Sequence, residues 1–379
     1  MKRSLNSYKF VFLLLLLAAF TGCDKFDLSG VSKATEHAKS WHCSIERAHV
    51  PATARIDSFF EKRFSSGRFN GTVLFAENGK IIYEKAFGYA NFDTREKLTE
   101  QSIFQLASVS KQFTAFSIML LKERNMLSYE DTVGKYIYGF PYGGITIRQL
   151  LTHNSGLPNY MYFAEELWPD KKIPMKNSDL IWMMKTFRPE KYYDPGRTFF
   201  YSNTGYALLA TIVEKVSRMH FSDFLRQEVF LPLGMKHTFV LDAEHYPNVE
   251  SVALGHRPNR RLEAYSYQNG VVGDKGVFSN VEDMFRWDQA LYNYVLIGRR
   301  CQDEAFMPAY KKRSEDHNYG FGWRLTRHET NGRIVYHGGW WKGYRTYFIR
   351  AVDKKRTIIV LSNTSSHTSF TIKEMLDLF

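Results

Sequence analysis

Strand signals at the two ends of the chain and helical signals through its middle predict an α/β (α+β) fold. The expected architecture is one antiparallel sheet flanked by helices, with a helical subdomain inserted between its strands. Residues 71–76 and 80–87 are strand-like, and Asn78-Gly79 between them suits a tight turn that needs positive φ. Residues 319–325, 333–337, 345–351 and 357–361 read as consecutive strands, the last two joined by the charged turn Asp353-Lys354-Lys355. Between these two groups lies an apolar helix over 108–122 that ends near Asn125. Further helices are predicted over 146–151, 178–186, 204–217 and 221–228, the last closed by Pro232-Leu233-Gly234. An apolar stripe at helical spacing over 56–64 predicts one more helix ahead of the first hairpin. No repeat or low-complexity linker interrupts this order, so the N-terminal strands are expected to join the C-terminal ones in one sheet.

With 379 residues, 44% hydrophobic and 24% charged, the chain has ordinary globular composition. Its one extreme segment comes first. Lys2, Arg3 and Lys9 precede an apolar run over 10–20, followed by Thr21-Gly22-Cys23, which describes an export signal over 1–22. The run is too short for a comfortable membrane-spanning helix. Phe20-Thr21-Gly22-Cys23 resembles a bacterial lipobox, with Phe20 in place of the commoner Leu. That resemblance implies a lipidated Cys23, a polar tether over 23–50 and a folded body over 51–379. The protein would then be a lipoprotein of the cell envelope, held to the membrane by acyl chains and facing the periplasm or the cell exterior. Loss of the leader takes three cations with it and lowers the formal charge from +12 to +9. The remaining excess is scattered in short runs such as Arg260-Arg261, Lys311-Lys312-Arg313 and Lys354-Lys355-Arg356, and no nucleic-acid motif is present. Cys43 and Cys301 are the other cysteines, and sequence leaves open whether they pair. No cluster has metal-ligand spacing, and neither a metal nor a cofactor is expected. A monomer acting on a small-molecule or peptide substrate is expected.

Three short motifs carry chemistry. In Ser108-Val109-Ser110-Lys111, residues three apart share a helix face, so the Lys111 amine can reach the Ser108 hydroxyl. A serine hydroxyl needs a base, and apolar surroundings favour the neutral form of an amine. Ser108 at a helix start also offers its own N–H to an oxyanion. In Tyr201-Ser202-Asn203, a tyrosine near two cations can shuttle a proton, and Asn203 can bond a substrate carbonyl or the lysine. In His337-Gly338-Gly339, glycines at a strand end let the backbone approach a ligand. There the N–H of Trp340 is the expected second oxyanion donor, and His337 a cationic or hydrogen-bonding wall.

Taken in this order, Ser-x-x-Lys, Tyr-x-Asn and His-x-Gly resemble the class C β-lactamase and penicillin-binding serine hydrolase family. The stretches 69–74, 150–157 and 319–323 agree with it, and the resemblance covers roughly residues 56–363. It implies a β-lactamase/transpeptidase-like fold, acylation of Ser108, proton transfer by Lys111 and Tyr201, and a site completed by Asn203 and His337. β-Lactamases and carboxypeptidases of that family usually place hydroxyls in the third motif to hold a substrate carboxylate. Here those places are Gly338 and Trp340, which have none. Trp340 and Trp341 offer flat apolar walls instead, and Arg345 offers either a carboxylate clamp or a structural ion pair. An esterase or amidase for small acyl or D-amino-acid substrates therefore ranks first. The alternatives are a β-lactamase or D,D-carboxypeptidase acting on cell-wall peptides, and a non-catalytic lipoprotein that binds cell-wall fragments.

Overall fold

The computed structural model describes residues 41–242, 252–310, 318–365 and 370–379. The export signal and Cys23 lie outside the described residues. In chain order the strands are β1 Glu46–Arg47, β2 Gly71–Glu77, β3 Lys80–Phe87, β4 Tyr89–Asn91, β5 Glu96–Lys97, β6 Phe104–Gln105 and β7 Phe239–Val240. They continue with β8 Val277–Ser279, β9 Asn318–Tyr319, β10 Arg324–His328, β11 Gly332–Trp341, β12 Tyr344–Ala351 and β13 Arg356–Ser362. Eight of them build one sheet in the order β1-β3-β2-β13-β12-β11-β10-β9. The last strand, β13, pairs antiparallel with the first hairpin through β2, which joins the two ends of the chain as expected. Asn78 and Gly79 both adopt positive φ (51° and 77°), the geometry a two-residue hairpin turn demands.

Both faces of the central strands are covered, so their sequences read as apolar runs rather than alternations. One face buries Val73, Phe75, Ile349, Ile358 and Val360 beneath Ile56 and Phe60 of the helix Ala52–Ser65 and Met375 of the helix Ile372–Leu376. The other face buries Leu74, Val335, Phe348 and Ile359 against the helical layer. In that layer the helices Lys111–Glu123 and Asn203–Ser217 are buried on nearly all sides. A three-stranded sheet, β6-β8-β7, lies beside the segment that leads into the first motif.

Two expectations are corrected here. The stretch assigned to a tether is packed from residue 41 onward: β1 runs parallel to β3, and Trp41, Cys43 and Ile45 pack on the core. The folded body therefore begins earlier than residue 51. Residues 319–325 are not one strand either. Gly322 (φ 79°) turns the chain, Gly320 N–H donates to Trp323 O at 2.8 Å, and β9 and β10 pair as a hairpin. Cys43 and Cys301 are free thiols.

Candidate active site

The segment leading to Ser108 is held on two sides. Leu106 N–H donates to Val277 O (2.8 Å), and Thr346 Oγ1 on β12 donates to Leu106 O (2.7 Å). Ala107 then takes φ 49°, a left-handed conformation that costs a β-carbon-bearing residue energy and marks a constrained turn. Ser108 follows in a short 3₁₀ turn, Ala107–Ser110, rather than in the α-helix itself, which begins at Lys111. Gly339 on β11 packs against this turn. A Cβ there would collide with Thr346 Oγ1 and Leu106 O and lie 3.1 Å from Ala107 Cβ. The glycine thus lets β11 lie directly along the backbone that carries Ser108.

The first two motifs converge. Lys111, 0% exposed, places Nζ 3.1 Å from Ser108 Oγ and donates to Asn203 Oδ1 (2.8 Å) and to the main-chain O of Asp274 (2.7 Å). Tyr201 OH donates to Ser108 Oγ at 3.0 Å. Asn203 opens its helix, with its Nδ2 3.2 Å from Met161 Sδ. Two basic side chains flank the tyrosine ring. Lys111 Nζ lies 5.0 Å and Arg324 Cζ 5.5 Å from its ring centroid.

Tyr201 is also supported from behind. The buried His153 ring lies 4.2 Å from it, and Ser202 N–H donates to His153 Nδ1 at 3.2 Å. Burial first, then the charges of Lys111 and Arg324, keep His153 well below the ordinary histidine range, so it is neutral. His337 is neutral too, because burial and the charges of Arg324 and Lys111 push it down. Its Nδ1 faces Gly338 O at 2.8 Å, which fixes the proton on Nδ1, so Nε2 accepts from Tyr319 OH at 3.0 Å. Of the two expected forms, a cationic or a hydrogen-bonding wall, the neutral imidazole fits the second, and the positive charge at this side of the site belongs to Arg324.

The Beta-lactamase family model matches residues 56–378. The chain belongs to the β-lactamase family. It is 41% identical over 328 residues to penicillin-binding protein 4* of Bacillus subtilis (strain 168), covering 83% of this chain and 72% of that protein. The octameric penicillin-binding protein homologue from Pyrococcus abyssi superposes with a TM-score of 0.72 at 26% identity, over 83% of this chain and 74% of that one. D-amino acid amidase from Ochrobactrum anthropi SV3, complexed with L-phenylalanine amide, shares the fold at a TM-score of 0.72 and 22% identity, over 87% and 96% of the two chains. The protein is a serine hydrolase of the β-lactamase/transpeptidase-like fold.

In this β-lactamase family member the third motif holds surprises. β10 pairs with β11 only over Gly332 to Tyr336, so beyond that point β11 passes the Ser108 turn without this partner. Along β11 the alternation puts His337, Gly339 and Trp341 on the face of the helical layer. Gly338 and Trp340 lie on the opposite face, where Gly338 packs beside Tyr347. Trp340 is 62% exposed, whereas Trp341 is buried, with its Nε1 donating to Asn269 Oδ1 at 2.6 Å. The two tryptophans therefore do not form one wall. Arg345, paired with Trp340 across the strands, shares its face and points away from the helical layer. Its Nε is buried without a hydrogen-bond partner.

Sequence reasoning missed Asp274, Arg324, His153 and Tyr319 as members of the site. The last two sit inside stretches that carried the family resemblance, 150–157 and 319–323, but neighbours in sequence gave no sign of what they would touch.

Proposed function

We propose that Ser108 is the nucleophile of an acyl-enzyme hydrolase that cleaves esters or amides of small acyl and D-amino-acid groups. The observation that carries this reading is the placement of Ser108 Oγ between Lys111 Nζ and Tyr201 OH. In the reacting form Lys111 has given up one proton, keeps its N–H bonds to Asn203 and Asp274, and turns its lone pair to the serine hydroxyl. Tyr201 donates into the same oxygen. Ser108 Oγ adds to the carbonyl carbon and its proton passes to Lys111. The oxyanion rests on the N–H groups of Ser108 and Trp340. Collapse breaks the bond to the leaving group, which takes a proton from Tyr201, and Lys111 restores that proton. Water then repeats the sequence on the acyl ester and frees Ser108. The absence of hydroxyls at Gly338 and Trp340 favours substrates without a carboxylate beside the reacting bond.

One observation favours a second reading, a D,D-carboxypeptidase or β-lactamase acting on cell-wall peptides. The half-buried Arg324 has no ion pair among the described residues and lies on the Tyr201 side, where the leaving group takes its proton. A carboxylate on the leaving group would meet it there. The name of the 41% identical relative, a penicillin-binding protein, points the same way.

A fluorophosphonate should label the wild type and leave Ser108→Ala unlabelled. A folded protein that no fluorophosphonate modifies would refute the enzyme and favour a binder of cell-wall fragments. Rates on p-nitrophenyl esters, D-amino-acid amides and cephalosporins separate the two catalytic readings. Arg324→Met should slow only substrates with a carboxylated leaving group if the second reading holds. We also propose envelope anchoring through lipidated Cys23. Cys23→Ala should move the protein from the membrane to the soluble fraction.

A further inference from the structure

A second buried lysine lies directly behind the candidate base. Gly273 and Gly276 both take left-handed φ (103° and 101°), and between them stand Asp274 and Lys275, 1% and 2% exposed. The loop is clamped in place. Thr114 Oγ1 donates to Gly273 O (2.7 Å), and Leu241 N–H donates to Gly276 O (2.8 Å). A Cβ on Gly273 would strike Tyr206 O and Ala210, so the close approach to the neighbouring helix requires glycine there. Asp274 faces two ways. Its main-chain O accepts from Lys111 Nζ, and its carboxylate accepts from Tyr160 OH at 3.1 Å and lies 3.5 Å from Lys275 Nζ. Lys275 in turn donates to the Tyr160 hydroxyl and to Val271 O, and sits 5.0 Å over the ring of Trp341 on β11.

Replacing a buried ion pair by apolar side chains is often neutral or stabilising, so stability alone does not explain one held beneath the site. We propose that Lys275, with Tyr160, is a positioning residue: through Asp274 it orients the Lys111 amine and keeps a positive charge behind it. This rests on the reading of Lys111 as base. The titratable groups facing Lys275 are Asp274, Tyr160 and Lys111. Burial pushes its ammonium down to about 8, opposed by Asp274 and aided by the charge of Lys111.

The test is the rate of fluorophosphonate labelling against pH for the full chain and its variants. Losing a cation behind a base favours the protonated base, so Lys275→Met should move the lower limb of the profile to higher pH by about half a unit or more. Its labelling at neutral pH should fall about threefold or more, the factor that a half-unit shift gives below the limb. Lys275→Arg keeps the charge and should return the limb towards its wild-type position. Lys275→Met that unfolds cooperatively and keeps the wild-type profile overturns the proposal, and so does a slower rate with an unmoved limb, which marks a structural role only. If Lys275→Met does not fold, Tyr160→Phe decides, because losing the hydroxyl disfavours the Lys275 charge and should move the limb in the same sense. An unmoved limb there overturns the proposal. Ser108-dependent labelling of the wild type is the control: its absence sinks the reading of the site, not the role of Lys275.

Discussion

At Gly339 the fit between β11 and the Ser108 turn leaves no room for even one methyl group, because Leu106 O and Thr346 Oγ1 occupy the space. Gly339→Ala should therefore cost about 1–3 kcal/mol of stability, read by chemical denaturation. It should also slow fluorophosphonate labelling, since the strand must retreat from the backbone that carries Ser108. Tyr201→Phe makes a sharper distinction. The ring keeps its tilted contact with His153 while the hydroxyl 3.0 Å from Ser108 Oγ is lost. Hydrolysis of p-nitrophenyl acetate should fall about 10²–10⁴-fold with unfolding unchanged; a wild-type rate would remove Tyr201 from the proton path. At this scale Ser108, Lys111, Tyr201 and Asn203 were legible because each motif is a few residues long and needs only local geometry to be recognised. His153, Arg324 and Asp274 were not, since each acts across a tertiary contact. His153 and Ser202 are 49 residues apart, and Asp274 is 163 from the lysine it holds. Trp340 and Arg345 share the face turned away from the helical layer, a placement that strand alternation decides and proximity in sequence does not announce.

Among the elements, the helix Val281–Tyr292 ties the helical layer to the sheet through one fully buried ion pair, Asp288 with Arg350 of β12 at 2.6 Å. Burial outweighs the pull of Arg350 and raises the Asp288 carboxyl above its ordinary range, so the pair is kept charged only by being complete. Arg350→Met leaves an uncompensated carboxylate and should destabilise the protein by about 3–5 kcal/mol. Asp288→Leu combined with Arg350→Met should recover most of that in urea unfolding; a double variant as weak as the single one would show the loss to be packing instead. This helix went unread although its signal is present, with Asn280 as N-cap and Glu282 and Asp283 in the first turn. The first hairpin and the helix over 203–217 were legible because their turn and their apolar period are strong and local. β9 and β10 merged into one strand because nothing in the residues 318–325 announces that the turn at Gly322 folds the chain back on itself.

For the whole molecule, the layers bury two neutral histidines, His153 and His337, next to the cations Lys111 and Arg324, and both are held well below 6.5. The sign follows from proton counting. Above 6.5 neither the folded nor the unfolded chain protonates these rings. Below it the unfolded chain takes up two protons that the folded chain refuses, so stability falls as pH falls. One pH unit below 6.5 the loss is about 1.4 kcal/mol for each ring, and about 3 kcal/mol for both. Carboxyls held low by ion pairs, such as Asp57 and Asp353, lose their contribution only at more acid pH. His256, also pushed down by burial, stays in wild type and variant alike and cancels in their difference. Urea unfolding of the wild type should therefore weaken steeply between pH 6.5 and 5, and a His153→Asn, His337→Asn double variant should show a much flatter slope over that window. Equal slopes would mean that water or a shared proton reaches the rings in the folded state. The neutral His337 behind Tyr201, and with it the assignment of the positive charge to Arg324, would then have to be given up.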